Sequence, residues 1–323
     1  MRKLWFALTL VLAFVLVGCA MPAFSSSAQH EQASEEESPF EEEPESEPEP
    51  LGKKPLNDYS WDDLSQISAQ ISAAESDEAR REVARAFGVV EEDGTLTRQT
   101  KQIVLDDTRA LDVRIAGIGH DDKADGSGKA GITFMTVGAI DILPMNDEAT
   151  VVGGWEASRL RSVLNGEQKQ RLDEDLRAVI VPVNKLTNNV GITESFESVT
   201  PTADELWVFS VHEVCGDVTW DRDEFRGRRG WEDVDGLLNS EGMQYEAFAR
   251  EGVTGESDPN GFLSLANSTG KSPWWYRTPY PFEFNSYGNT GCDGYFYQVM
   301  DSGFPKSRGN PQEPASVVVG FCV

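Results

Sequence analysis

KQIVLDDTRALDVRIAGIGHDDKADGSGKAGITFMT, residues 101–136, decides the fold class. KQIVL and ALDVRIAGIG are rich in β-branched and apolar residues and read as two strands joined at DDTR. GITFMTVGAIDI reads as the next strand, after a loop whose Asp-Gly-Ser-Gly is strong turn chemistry. Upstream, Trp61, Leu64, Ile67 and Ile71 recur at helical spacing, which predicts an amphipathic helix over 60–74. A second helix is predicted over 77–88, with Asp77 near its start and Gly88 at its stop. Downstream, 153–172 is helical, with Trp155, Leu160, Leu164 and Leu172 turned to a core, and 178–184 and 205–213 read as buried strands. Residues 216–270 show little periodicity, and SPWWYRTPY, GYFYQVM and ASVVVGFCV close the chain as aromatic and apolar strands. Helices, strands, a helix, then strands with long loops make an α+β protein with a mostly antiparallel sheet, not alternating βαβ units.

The loop at 120–131 invites a site and then declines the familiar ones. A phosphate loop requires glycine where Lys123 stands and a hydroxyl where Ala130 stands. A calcium loop starting at Asp121 meets Lys123 at its third position and Ile132 where the bidentate glutamate belongs. A structural β-loop is the expectation. A catalytic Cys-His or Ser-His-Asp set needs a histidine, and beyond the linker there are only His120 and His212. His212-Glu213 is expected to end a strand, where adjacent side chains face opposite ways. No G-x-S-x-G elbow or H-E-x-x-H is present. A zinc site from His212-x-x-Cys215 has too few spaced ligands to be adopted, so neither metal nor cofactor is expected.

Trp274, Trp275, Tyr276 and Arg277 are the candidate ligand-binding residues. Arg277 can stack on a ring or pair with an acid, a set suited to sugar or peptide. In a strand, Trp275 and Arg277 share one face and Trp274 and Tyr276 the other. One tryptophan therefore meets a second layer, a loop or a ligand.

The chain begins with Arg2 and Lys3, an apolar run over 4–17 and then Gly18-Cys19, the layout of a secretory signal. Leu16-Val17-Gly18-Cys19 resembles the bacterial lipobox, in which the cysteine sulfur receives a diacylglyceryl group and the chain is cut just before it. Cys19 is thus the lipidation site; an uncleaved signal anchor is the alternative. Residues 31–50 carry ten glutamates and no basic residue, so the segment stays extended and unfolded. Fully stretched, 20–57 reaches up to about 130 Å at about 3.3–3.6 Å per residue. The expected organisation is a signal peptide at 1–18, a lipidated cysteine and acidic linker at 19–57, a small leader of helices and a β-hairpin at 58–134, and an α+β surface domain at 135–323. Localisation follows as the outer face of the cell membrane, held by lipid.

Of the net charge of −27, the ten glutamates and four basic residues ahead of Asp58 account for −6, leaving −21 on the rest. Such a surface repels phosphate backbones, which excludes nucleic acid as a partner. Outside the cell a pair among Cys215, Cys292 and Cys322 can oxidise, leaving one over, and a Cys292–Cys322 disulfide would staple the C-terminus.

Taken in order, W-x-x-S-x-x-R-x-x-L-N (Trp155 to Asn165), L-W-V-F-S-x-x-E (206–213), W-W-Y-R-T-P (274–279) and the late V-V-G-F resemble domain of unknown function 6273, a family of Gram-positive and actinobacterial surface proteins. The stretch before them is similar to a leader commonly joined to that domain. More distantly, the paired tryptophans, the arginine and the terminal glycine strand are similar to C-type-lectin-like and formylglycine-generating folds. The resemblance implies a fold and an address and carries no activity. The expected function is a non-catalytic binding or structural module for a cell-wall glycan or a surface protein; the alternative is an acid-catalysed cell-wall or glycan hydrolase.

Overall fold

Ser60 and Asp63 cap each other's backbone and so start α1 (Trp61–Ala73). Trp61, Leu64, Ile67 and Ile71 form its buried stripe, as their spacing requires. The Ser76 side chain caps α2 (Asp77–Ala86), and Gly88 follows at φ +71°, the left-handed turn that suits glycine. The computed structural model describes residues 51–106, 108–220, 234–256, 258–264, 272–281 and 294–323. Cys19 and Cys292 lie outside the described residues.

The strands are β1 (Thr100–Leu105), β2 (Arg109–Ile118), β3 (Ile132–Thr136), β4 (Asp141–Leu143), β5 (Val183–Asn188), β6 (Val199–Asp204), β7 (Trp207–Val208), β8 (Trp274–Pro279), β9 (Phe296–Val299), β10 (Ser307–Gly309), β11 (Ala315–Val317) and β12 (Val319–Cys322). They form a sheet of order β1-β2-β3-β12-β7, a second of order β10-β9-β8-β11-β4, and the hairpin β5-β6. Among the described residues every strand pairing is antiparallel except β8 with β11, which meet at Ser316 and Trp274. The class is α+β with mostly antiparallel sheet. β11 and β12 are separated by Val318 alone, so the last residues contribute a strand to each large sheet.

Three expectations need correction. The boundary expected between 134 and 135 falls inside β3, which pairs with β2 on one side and β12 on the other. The two sides of that boundary share one sheet, and Pro50–Val323 is one compact unit. Residues 178–184 are not a strand throughout: α4 (Glu174–Val179) runs first and β5 starts at Val183. Residues 205–213 hold only the short β7 before the chain turns into α5 (Val211–Cys215), because Ser210 and Glu213 form a second reciprocal cap. The helical region at 153–172 contains α3 (Arg159–Val163) and a π-helical turn over Leu164–Gln168. Two further short helices are α6 (Val234–Leu238) and α7 (Glu246–Arg250).

The C-terminus is seated on α1. Ser68 accepts from the Ile132 amide at 3.1 Å, and its hydroxyl donates to the Val323 carbonyl. A Cβ on Gly131 would stand 2.0 Å from the Ser68 carbonyl oxygen, so only glycine admits this approach.

β8 lies at the centre of its sheet and is buried on both faces. Trp274 is 3% exposed and Trp275, Tyr276 and Arg277 are 0% exposed. The ring nitrogen of Trp274 donates to the Leu263 carbonyl and that of Trp275 to the Leu143 carbonyl, each at 2.9 Å. Each face meets a second layer, and neither offers a surface to a ligand. Trp274→Ala and Trp275→Ala should therefore each lose about 3–5 kcal/mol in urea unfolding. A loss under about 1 kcal/mol at either position would show that its face is not packed.

Candidate functional site

Four segments bring charge into the interior at one place. The loop after β2 brings Asp121, β5 brings Lys185, α5 brings Glu213 and β8 brings Arg277, all 3% exposed or less. The inward positions of β5 are Val183, Lys185 and Thr187, so the alternation of the strand alone points the lysine inside. Lys185 Nζ lies 2.6 Å from Asp121 Oδ1 and 2.6 Å from Glu213 Oε1. It also donates to the Tyr245 hydroxyl at 2.8 Å and sits 4.5 Å from the Trp207 ring centroid. Thr133 donates to Asp121 Oδ2 at 2.6 Å, and the Tyr245 hydroxyl lies 2.7 and 2.9 Å from the two carboxylate oxygens.

Glu213 carries the network to Arg277. The guanidinium donates to Glu213 Oε2 at 2.5 Å, to Thr187 Oγ1 at 2.7 Å, and to the carbonyls of Val208 and Leu186 at 3.0 and 3.1 Å. Glu241 closes the cluster: it accepts from the Asn188 amide at 2.8 Å and from the Thr278 hydroxyl.

Burial opposes ionisation of Asp121, yet Lys185 and His120 outweigh it and hold the carboxyl well below its ordinary range. Burial likewise raises Glu213, and Arg277 with Lys185 brings it below. Glu241 differs. Burial pushes it up to about 7, against the pull of the Asn188 amide, Thr278 and Arg277. Two cations thus face two ionised carboxylates, and the third acid keeps its proton longest. Tyr245 is raised well above its usual value by burial and by Asp121 and Glu213.

Above this floor lies a cleft of about 410 Å³. Asp121, Lys185 and Glu213 form its base, and His120, Leu186 and Met243 stand on its rim. Leu186 is 39% and Met243 57% exposed, both unusual for large apolar side chains. The His120 ring stacks on Tyr245, with centroids 3.8 Å apart. A second hollow of about 290 Å³ shares His120 and Met243 and reaches Arg80 and Arg81 on α2.

The remaining sequence candidates fall elsewhere. The 120–131 loop does close as a turn, with Asp122 bridged to Lys129, but Asp121 leaves it for the interior. Sequence reading missed this. His212 Nδ1 meets the Gly242 carbonyl at 2.8 Å, while Cys215 is buried against the Tyr276 hydroxyl at 3.5 Å. No group of three His, Cys, Asp or Glu able to hold a metal occurs among the described residues. Cys322 is a free buried thiol, 3.3 Å from Thr133 Oγ1. Its expected disulfide partner, Cys292, lies outside the described residues.

The motif residues of the sequence meet one another here. Trp155 and Arg161 both donate to Asp204, at 2.9 and 2.6 Å, and Asn165 accepts from the amides of Glu205 and Leu206. Glu213 of the second motif holds Arg277 of the third. An α+β unit knotted by such pairs is the class of protein the fold and site define. The chain belongs to the family described as Domain of unknown function (DUF6273), whose model matches residues 132–304. No curated protein and no solved structure matches it.

Glu241 gives the site a pH signature. Its folded value lies above the ordinary 4.5, so the contribution of its protonated form is complete below about pH 4.5 and is lost as pH rises through about 7. Glu241→Gln, which mimics the protonated acid, should gain stability over the parent on going from pH 5 to pH 8. The gain should reach about 3 kcal/mol at pH 8. Parallel stability–pH curves for the two proteins would show that Glu241 does not titrate in this range.

Proposed function

We propose that the protein is a lipoprotein held at the outer face of the cell membrane through Cys19, and that Pro50–Val323 is a binding module and not an enzyme. The lipobox-like Leu16-Val17-Gly18-Cys19 and the acidic spacer behind it support the address. Two or more acyl chains hold a protein stably on a bilayer. The binding reading rests on one observation. Both carboxylates at the base of the cleft are paired with buried cations and held ionised, so neither presents a proton to a ligand in the cleft.

The rim supports a ligand class. The aromatic residues expected to stack on sugar are packed in the core, while the cleft presents Met243, Leu186 and Pro201 beside Asp122, Lys129 and His120. Alternating apolar and charged groups suit a peptide, either from the cell wall or from a surface protein, better than a plain glycan.

Calorimetric titration of the full chain in detergent with cell-wall stem peptides and with short glycan chains is the test. The expected result is saturable binding of the peptides, lost in Met243→Glu, with no cleavage of either probe. Glycan binding that Met243→Glu leaves intact would contradict the assignment to this cleft, and hydrolysis of a probe would favour the acid-catalysed alternative. Cys19→Ala should move the protein out of the detergent phase; unchanged partitioning would contradict the lipid anchor.

A further inference from the structure

We propose that Lys185 and Asp121 condense into an intramolecular amide, a covalent cross-link between β5 and the loop that follows β2. The three groups such a reaction needs are together and almost wholly enclosed. Lys185 Nζ is the nucleophile, the Asp121 carboxyl is the electrophile 2.6 Å away, and Glu213 Oε1, 2.6 Å from the same nitrogen, is the proton relay. All three are 3% exposed or less. Ring stacking and packing by Trp207, Tyr245 and His120 fix them in place.

Asp121 is also polarised in the required sense. Its Oδ2 accepts from Thr133 at 2.6 Å, while the Tyr245 hydroxyl lies between the two oxygens, 2.7 Å from Oδ1 and 2.9 Å from Oδ2; Thr133 thus marks Oδ2 as the oxygen held as the carbonyl, and negative charge building on it in the tetrahedral intermediate is stabilised. Oδ1, the oxygen next to Lys185, is the one that leaves.

The step balances without any other reactant. Glu213 takes a proton from the Lys185 ammonium and passes it to Asp121 Oδ1, so that a neutral amine faces a neutral acid, and the amine then forms a bond from Nζ to Cγ of Asp121. The Cγ–Oδ1 bond breaks, and Oδ1 departs as water carrying two protons that began on the nitrogen and passed through Glu213. Nothing is oxidised or reduced. Glu213 ends as the carboxylate it was, facing Arg277.

Three physical terms drive it. The fold holds the reacting groups at contact, which removes the entropic barrier of bringing them together. The interior is short of water, the product that would reverse the reaction, and the cleft whose base these groups form is its way out. Condensation also removes one buried charge of each sign, and with them part of the desolvation penalty that a buried ion pair carries. The Arg277–Glu213 pair remains. The cross-link lies beneath the ligand cleft and does not depend on what the cleft binds.

Peptide mapping of the full chain, digested with trypsin after denaturation, tests this directly. The expected product is one branched peptide joining residues 115–123 to the segment that begins at Ala178, uncut after Lys185 and lighter by one water than its two parts. Glu213→Gln, which removes the relay, should give the two linear peptides, restore cleavage after Lys185 and melt at a lower temperature. Linear peptides and full cleavage after Lys185 in the unaltered protein would overturn the proposal, whether or not the variant folds. A missing water with Lys185 still cleaved would also overturn it, assigning the loss to ring closure at Asp125-Gly126.

Discussion

An ammonium and a guanidinium buried side by side have to be neutralised where they lie. As the chain folds, Lys185 and Arg277 are almost wholly enclosed, and each draws a carboxylate from a distant part of the chain. That requirement positions the loop after β2, the start of α5, and the central strand of the second sheet against the β5-β6 hairpin. The energy is large on the scale of a fold. Removing one partner of a buried pair costs about 3–5 kcal/mol, against a total stability of about 5–15 kcal/mol for a typical domain. The network therefore decides which arrangements of these segments are tolerable.

Much of the local structure can be read as serving that constraint. The reciprocal cap of Ser210 and Glu213 begins α5 and at the same time aims the Glu213 carboxylate at Arg277. Burial of both faces of β8 places Arg277 opposite Thr187 and Leu186 of β5. Asp204 does the same for the neighbouring helix, gathering Trp155, Arg161 and Thr202. The family's motifs are thus largely paired structural ties. They say how the unit is fastened, and the exposed cleft rim of Met243 and Leu186, outside those ties, is where a partner has room to act.

How much of this was legible in the sequence varied with the physics. α1, α2 and β1 announced themselves because each buries one face, and periodicity reports one buried face well, while β3, buried at every position, showed as a β-branched and apolar run. The antiparallel α+β class followed from the order of the elements, in which helices do not alternate with strands. α5 was hidden by the apolar run Leu206 to Val211, which reads as strand; the overlooked signal was Ser210 followed three residues later by Glu213. The start of β5 was misplaced because the acidic first turn of α4, Glu174-Asp175, was passed over. The two tryptophans of β8 showed correctly that two faces were in use, but sequence gives no means of knowing that a protein layer covers both. Asp121 was the least legible of all. It stands in a stretch whose chemistry is that of a turn, and nothing local says that one aspartate of the pair turns inward to a lysine 64 positions away.

The claim that buried ion pairing organises this unit is tested most directly by a double-mutant cycle on Glu213 and Arg277. Stability to urea would be measured for the parent, Glu213→Gln, Arg277→Met and the double variant. The account predicts that each single change costs about 3–5 kcal/mol and that the double variant costs far less than their sum, because neither charge is then left alone. Additive losses, with no coupling between the two sites, would contradict it.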